Sequence, residues 1–279
     1  MPTLERPKIK PFVQSIRTII ADMVRKGYVD SEQVAAHMRA LRIAINQALP
    51  PIERTQRVIR ARMTASYDRQ VTKGAILQRH EGVNRFTLAR VEPALREELD
   101  KRIMASADLI RLNRDEVIEK TLRRFQGWAT SIPTGGTKVP QKETATEDVK
   151  KALASLPYLE RRVLTDQGHK LVAGLNETLA TNAGAIAAKW HHHYSKYPRH
   201  SHEARDGNIY LLKSSWAVDR GFVKPGKPGW YDDITKAGEE VNCRCSCSFL
   251  YSLGALPEDM LTQKGKAELA RIRAAINAA

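Results

Sequence analysis

Hydrophobic and polar residues alternate with helical spacing along most of the chain. Up to about residue 131, apolar side chains recur every three or four positions, and glycine, proline and capping residues divide the pattern. The predicted helices are 13–26, 31–49, 52–80, 88–112 and 113–128. We expect them to form a helical bundle or an extended helical arm.

The third of these helices has two unlike faces. One side carries the apolar residues Ile52, Ile59, Met63, Tyr67, Val71 and Leu77. The other side carries Arg54, Arg57, Arg62, Arg69, Lys73 and Arg79. At the α-helical rise, this cationic face would extend over about 40 Å. It is where we expect contacts with the phosphates of double-stranded DNA.

A change of pattern divides the chain near residues 132–142. This segment combines two prolines with a Gly-Gly pair and is predicted to be a linker. Helices are predicted again at 145–156 and 157–192, followed by strands at 209–212 and 247–253 and a last helix at 258–277. The sequence therefore predicts a mainly α protein whose small C-terminal domain is α+β. The predicted segments are a basic helical region (1–131), the linker (132–142), a long helix with the small domain (143–256) and a C-terminal helix (257–279).

The composition favours a polyanionic partner. Lysine and arginine number 46 against 31 acidic residues, which gives a formal net charge of +15 and a pI near 9.8. Such an excess attracts phosphate without regard to base sequence. No apolar run is long enough to cross a bilayer, and the three closely spaced cysteines are a poor disulfide framework. We expect a protein made in a reducing cytoplasm, without contact with a membrane during assembly.

A set of short motifs follows in order in the C-terminal region. Arg199, Ser201 and His202 precede Asp206-Gly207, a PGKPG turn occupies 225–229, and Asn242-Cys243-Arg244-Cys245 comes last. This order resembles the phage Mu F-like, or head-morphogenesis, family, which is marked by R-x-S-H-x-x-x-D-G and a terminal N-C-R-C. The resemblance covers about residues 157–250, including the approach through Lys189-Trp190. Lys196-Tyr197-Pro198 departs from the family's more polar approach to the arginine.

The resemblance implies a structural minor head protein of a tailed bacteriophage, with no enzymatic activity. Such a protein acts in head assembly or DNA packaging near the portal vertex, and its partners are the portal, other head proteins and genomic DNA. It is expected inside the capsid of the virion, and in the host cytoplasm during assembly. Residues 1–131 have no counterpart in this family.

The motif residues also permit a metal site. Five of the eight histidines and all three cysteines lie between positions 191 and 247, and imidazole and thiolate are zinc ligands. If a metal is bound, the predicted ligands are His202, Cys243 and Cys245. Alternatively, the cysteines pack as small apolar residues and His202 is hydrogen-bonded to Asp206 or to a carbonyl group. Arg199 and Asp206 are expected to pair, with Gly207 allowing a tight turn.

The same residues allow two alternatives to the structural role. A zinc-stabilised DNA-binding regulator would use the same ligands, and a metal-dependent nuclease would need His200, His202 and Asn208 in a geometry that their spacing does not supply. A Cys243–His202 nucleophile pair lacks a recognisable orienting group. The aromatic residues Trp216, Phe222, Trp230 and Tyr231 are expected in the core rather than stacked on bases.

Overall fold

The computed structural model describes residues 3–27, 29–131, 142–195 and 197–278. The α-helices are α1 (Ile9–Lys26), α2 (Ser31–Ala48), α3 (Ile52–Gln70), α4 (Arg85–Ala129), α5 (Lys142–Ala183), α6 (His200–Glu203), α7 (Trp216–Asp219) and α8 (Gln263–Ala278). The strands are β1 (Ala187–His191), β2 (Ile209–Leu211) and β3 (Ser246–Leu250). The predicted mainly α fold with a small C-terminal sheet is confirmed. The predicted linker lies, but for its last residue, outside the described residues.

The chain forms two compact units. Unit 1 consists of Met1–Arg62 and Ile103–Leu164, and unit 2 of Met63–Arg102 and Thr165–Ala279. Each of α3, α4 and α5 therefore contributes one part to unit 1 and the other to unit 2. None of the helices in the described ranges has the length and apolar character needed to cross a membrane.

Unit 1 is a helical unit with one continuous apolar core. Phe12, Ile16 and Met23 of α1 pack in this core with Leu41 of α2 and Phe125 of α4. The start of α2 is fixed by the Asp30 carboxylate, which accepts a hydrogen bond from the Gln33 amide at 2.7 Å. The predicted amphipathic pattern thus becomes a buried stripe on each helix.

A buried arginine crosses this unit. Arg114 donates from Nε to Glu160 at 2.8 Å. Its two terminal nitrogens donate to the Pro50 carbonyl at 2.9 Å and to the Thr55 hydroxyl at 2.8 Å. Both Arg114 and Glu160 are almost completely buried. Burial raises the pKa of the Glu160 carboxyl, while the adjacent guanidinium opposes that shift. The pair needs all of these hydrogen bonds to offset its desolvation.

Unit 2 is built around a three-stranded antiparallel sheet in the order β2-β1-β3. The central strand β1 pairs Ala187 with Leu211 on one side, and Trp190 with Cys247 on the other. Because side chains alternate along a strand, Ala188 and Trp190 join one apolar cluster while Ala187 joins another. The three cysteines belong to the same cluster as Trp190.

The third helix is shorter than predicted. It ends at Gln70 instead of about residue 80, because Gly74 takes a left-handed φ of 77° and residues Ala75–Arg79 form a separate 3-10 helix. Arg54, Arg57, Arg62 and Arg69 lie on α3, but Lys73 and Arg79 do not. The cationic face of α3 therefore ends at Arg69, and the predicted length of about 40 Å is wrong.

The long helices also depart from the predicted boundaries. No break occurs at Asn113 or at Pro157, because buried residues continue on both sides and packing outweighs the single hydrogen bond that a proline removes. The helix predicted to reach residue 192 instead ends at Ala183. There Gly184 has a φ of 79°, and the Ala185 amide donates to the Ala180 carbonyl at 2.9 Å. Trp190 therefore lies in a strand.

We predict that Arg114→Ala destabilises the protein by about 3–5 kcal/mol, because it leaves the Glu160 carboxylate buried without its partner. Urea unfolding measures this loss. Arg111→Ala removes an exposed arginine that pairs with Asp108, and it should change the stability by less than about 1 kcal/mol. Equal effects of the two substitutions would contradict the importance of the buried pair.

Candidate metal centre

His202 is the centre of the motif region. It lies on the short helix α6, is 2 % exposed, and meets the ring of Trp190 edge to face at a centroid distance of 5.4 Å. Its Nδ1 atom lies 3.6 Å from Cys243 Sγ and 3.7 Å from Cys245 Sγ. The three ligand atoms all lie within 4.8 Å of one another. The His202–Cys243–Cys245 cluster can therefore hold a metal ion.

The other nitrogen of His202 faces a carboxylate. His202 Nε2 is 3.2 Å from Glu240 Oε1, and the Arg199 Nε atom lies 2.9 Å from Glu240 Oε2. Arg199 also donates to the Val241 carbonyl at 2.8 Å. A carboxylate can only accept a hydrogen bond, so it favours the tautomer with the proton on Nε2. That tautomer leaves the Nδ1 lone pair directed at the thiols.

The loop before Cys243 brings the thiols into place. Asn242 has a φ of 60°, and its amide donates to Asp166 Oδ1 of α5 at 2.5 Å. The Gly238 amide donates to Cys243 Sγ at 3.4 Å. Gly238 has a φ of 84°, and a Cβ atom there would lie 2.6 Å from Ala173 Cβ, so a side chain does not fit at this position.

The two thiols differ in acidity. The pKa of Cys243 is lowered, mainly because the Cys245 thiol donates a hydrogen bond to it and because the Gly238 amide points at it. The pKa of Cys245 is raised for the converse reason and by burial. Burial raises the pKa of Cys247 to about 12. The pair therefore readily provides one thiolate, and a cation is needed to obtain the second.

Other motif residues have structural partners. The prediction of an Arg199–Asp206 ion pair is wrong, because Arg199 pairs with Glu240 instead. Asp206 accepts hydrogen bonds from the His192 amide and the Tyr194 hydroxyl, both at 2.8 Å. His202 likewise meets Glu240 rather than Asp206. Gly207 has the expected left-handed φ, here 76°. Ser201 is exposed.

The remaining histidines and aromatic residues lie elsewhere. His200 is exposed beside Glu203, and Asn208 donates to the Ala204 carbonyl, so neither contacts the thiols. Phe222 and Tyr231 are buried, and Trp216 and Trp230 pack partly buried against the same apolar cluster as Phe222. The expected role of these aromatic side chains in the core is confirmed.

The predicted DNA-contacting residues are spread over both units. Arg54 lies 3.2 Å from Glu5, and Arg62 is half-buried with a partner of its own. Arg57 and Arg69 are exposed on α3. Arg79 lines a cavity of about 110 Å³ in unit 2, together with Arg244 and Cys245. Glu240 and the histidines next to this cavity, His80 and His169, could not be identified from the sequence, because a single acidic residue or histidine belongs to no motif.

His80 fixes the chain beside β3. Its Nε2 donates to Asn176 Oδ1 at 3.0 Å, its Nδ1 accepts from the Tyr251 hydroxyl at 2.5 Å, and its ring stacks on Phe249 at 5.2 Å. The Asn176 amide nitrogen donates to the Val172 carbonyl, which orients the oxygen towards His80. The buried ring is therefore held as one neutral tautomer.

No family model, curated protein or solved structure matches this chain.

Acidic pH should destabilise the protein through His80. Burial lowers the pKa of His80 to about 4, against 6.5 for a free imidazole. Between these values the unfolded chain binds more protons than the folded chain, so stability is lost as the pH falls from about 6.5 to about 4. The loss is on the order of 3 kcal/mol.

Urea unfolding at pH 7 and pH 4.5 measures this pH effect. His80→Gln should lower stability at pH 7 and flatten its dependence on pH. His200→Gln, at an exposed position, should leave the dependence as in the wild type. An unchanged pH dependence in His80→Gln would contradict the assignment.

Proposed function

We propose that this protein is a non-enzymatic minor head protein of a tailed bacteriophage. One observation supports this proposal above all. Two halves of the motif that lie far apart in sequence, Arg199–His202 and Asn242–Cys245, come together at one buried cluster. Unrelated short patterns that matched by coincidence would have no reason to build a common centre. The proposed role is head assembly or DNA packaging near the portal vertex, inside the virion. The proposed partners are the portal, other head proteins and genomic DNA, the last through the basic helices.

The composition of purified particles tests this proposal. Particles from the source of this chain should contain it in few copies relative to the major capsid protein, as measured by quantitative mass spectrometry of gradient-purified material. A non-virion protein made in the same cells serves as the control for contamination. A chain that is present in infected cells and missing from particles would contradict the proposed role.

We further propose that the cluster binds a structural zinc ion. Tetrahedral zinc with Zn–S bonds near 2.3 Å and Zn–N bonds near 2.0–2.1 Å separates sulfur from nitrogen by about 3.6 Å. The observed distances of 3.6 and 3.7 Å fit this requirement. All three ligands are buried, which supports a structural role rather than catalysis. Three protein ligands leave a fourth coordination position for a water molecule or another ligand.

Glu240 and Arg199 complete this proposed centre. A carboxylate on the far nitrogen of a ligating histidine fixes its orientation and makes it a stronger ligand. Glu240 is in this position, and Arg199 holds Glu240 from the other side. The arginine of the motif therefore acts as a positioning residue.

We expect the purified chain to carry about one zinc per molecule and to lose thermal stability when the metal is removed. Cys245→Ser should abolish stoichiometric binding. Glu240→Ala should weaken zinc affinity about 10- to 100-fold, measured by competition with a chromophoric chelator. Glu203→Ala removes a nearby exposed carboxylate and should retain wild-type affinity. A metal-free wild type would refute the zinc site, whereas equal affinities of the two glutamate variants would refute only the role of Glu240.

A further inference from the structure

Arg79 and Arg244 converge on the same cavity of unit 2 from positions far apart in sequence. Arg79 ends the 3-10 helix after α3, and the adjacent His80 forms a backbone bridge with Phe249 of β3. Arg244 lies between the two cysteines of the cluster. Both arginines thus extend from backbone that buried contacts hold in place, rather than from a free loop.

One part of the cavity wall carries hydrogen-bond donors, beside apolar side chains such as Val172 and Phe249. Besides the two guanidinium groups, the hydroxyl of Ser246 and the imidazole of His169 lie in its wall. Within the described ranges, neither arginine forms an ion pair, and the four side chains have no hydrogen-bond partner. Arg244 is exposed, and Arg79, His169 and Ser246 are partly exposed, so their donors can reach a ligand that enters the cavity from solvent. Two guanidinium groups, a hydroxyl and an imidazole on one cavity wall indicate a site for an anionic acceptor.

The charge around this cavity is positive and uncompensated. No carboxylate lies in the described part of its lining. Two acidic residues of α5 in the same unit are already engaged, since Asp166 pairs with Lys170 and Glu177 pairs with Lys236. The pKa of His169 is lowered by burial and then by the charge of Arg244. A zinc ion with two thiolates and a neutral imidazole has no net charge, so it would not neutralise the arginines.

We propose that this cavity binds a phosphate group of the DNA backbone. Two guanidinium groups match the oxygens of a phosphate, with which arginine forms paired, charge-assisted hydrogen bonds. The cavity measures about 110 Å³, whereas one water molecule needs only about 10–15 Å³ by the same measure, so a polyatomic anion fits. The inference rests on the DNA contact in the proposed function and adds a defined phosphate site to it.

The test compares Arg79→Gln/Arg244→Gln with Lys224→Gln/Lys227→Gln in the full chain. The second double variant loses the same charge at two exposed lysines that do not line the cavity. Binding to a 20-base-pair duplex is measured by fluorescence anisotropy at several salt concentrations between roughly 50 and 200 mM. The arginine variant should weaken binding and reduce the slope of log affinity against log salt by about one, and the lysine variant should retain the wild-type slope.

A second arm uses inorganic phosphate at about 10 mM in thermal unfolding experiments. Phosphate should raise the Tm of the wild type and of the lysine variant, but not that of the arginine variant. A phosphate-dependent Tm with unchanged DNA binding would overturn DNA as the source and leave free phosphate as the ligand. Equal slopes in both variants together with a Tm that does not respond to phosphate would overturn the site. Particle composition is measured separately, so failure here is distinguishable from failure of the proposed virion role.

Discussion

A buried imidazole needs a partner at each ring nitrogen, and the motif region of this protein is arranged to meet that need at His202. One nitrogen faces Glu240 and the other faces two thiols. The loop that supplies Glu240 and Cys243 can approach only because Gly238 lacks a side chain and Asn242 accepts a left-handed backbone conformation. The position of Arg199 follows from that of Glu240, since its guanidinium group neutralises the carboxylate.

The small size of the sheet explains why such a centre is useful. Three strands bury only a narrow face on each side, and β1 contributes two alanines and one tryptophan to the two apolar clusters. The segments around α6 and before β3 lie beside this sheet with little regular pairing of their own. A cross-link through His202, Cys243 and Cys245 would join these two segments within the apolar cluster of Trp190, which is the usual benefit of a structural metal in a small domain.

Sequence periodicity predicted the helical class because buried stripes such as Phe12-Ile16-Met23 have a regular spacing. It failed where tertiary contacts or one backbone torsion decide the outcome. Gly74 and Gly184 end helices that the hydrophobic pattern alone would continue, whereas Pro157 is carried within a packed helix. The sequence predicted that His202, Cys243 and Cys245 would be the ligands if a metal is bound, because residue types that bind metals are few, and the structure brings these three side chains together. Glu240 was not predicted, since a lone acidic residue is distinguished only by what it contacts.

The alternating burial of residues 243–247 separates two functions within one short motif. Cys243, Cys245 and Cys247 are buried, whereas Arg244 is exposed and Ser246 is partly exposed. Inward-facing thiols account for the stability of the centre, but they do not require an arginine between them. An exposed lysine or glutamine would serve equally well if solvation were the only need. Arg244 lines the same cavity as Arg79, and two positive charges that face one cavity favour the binding of an anion there, which gives Arg244 a role in the proposed phosphate site.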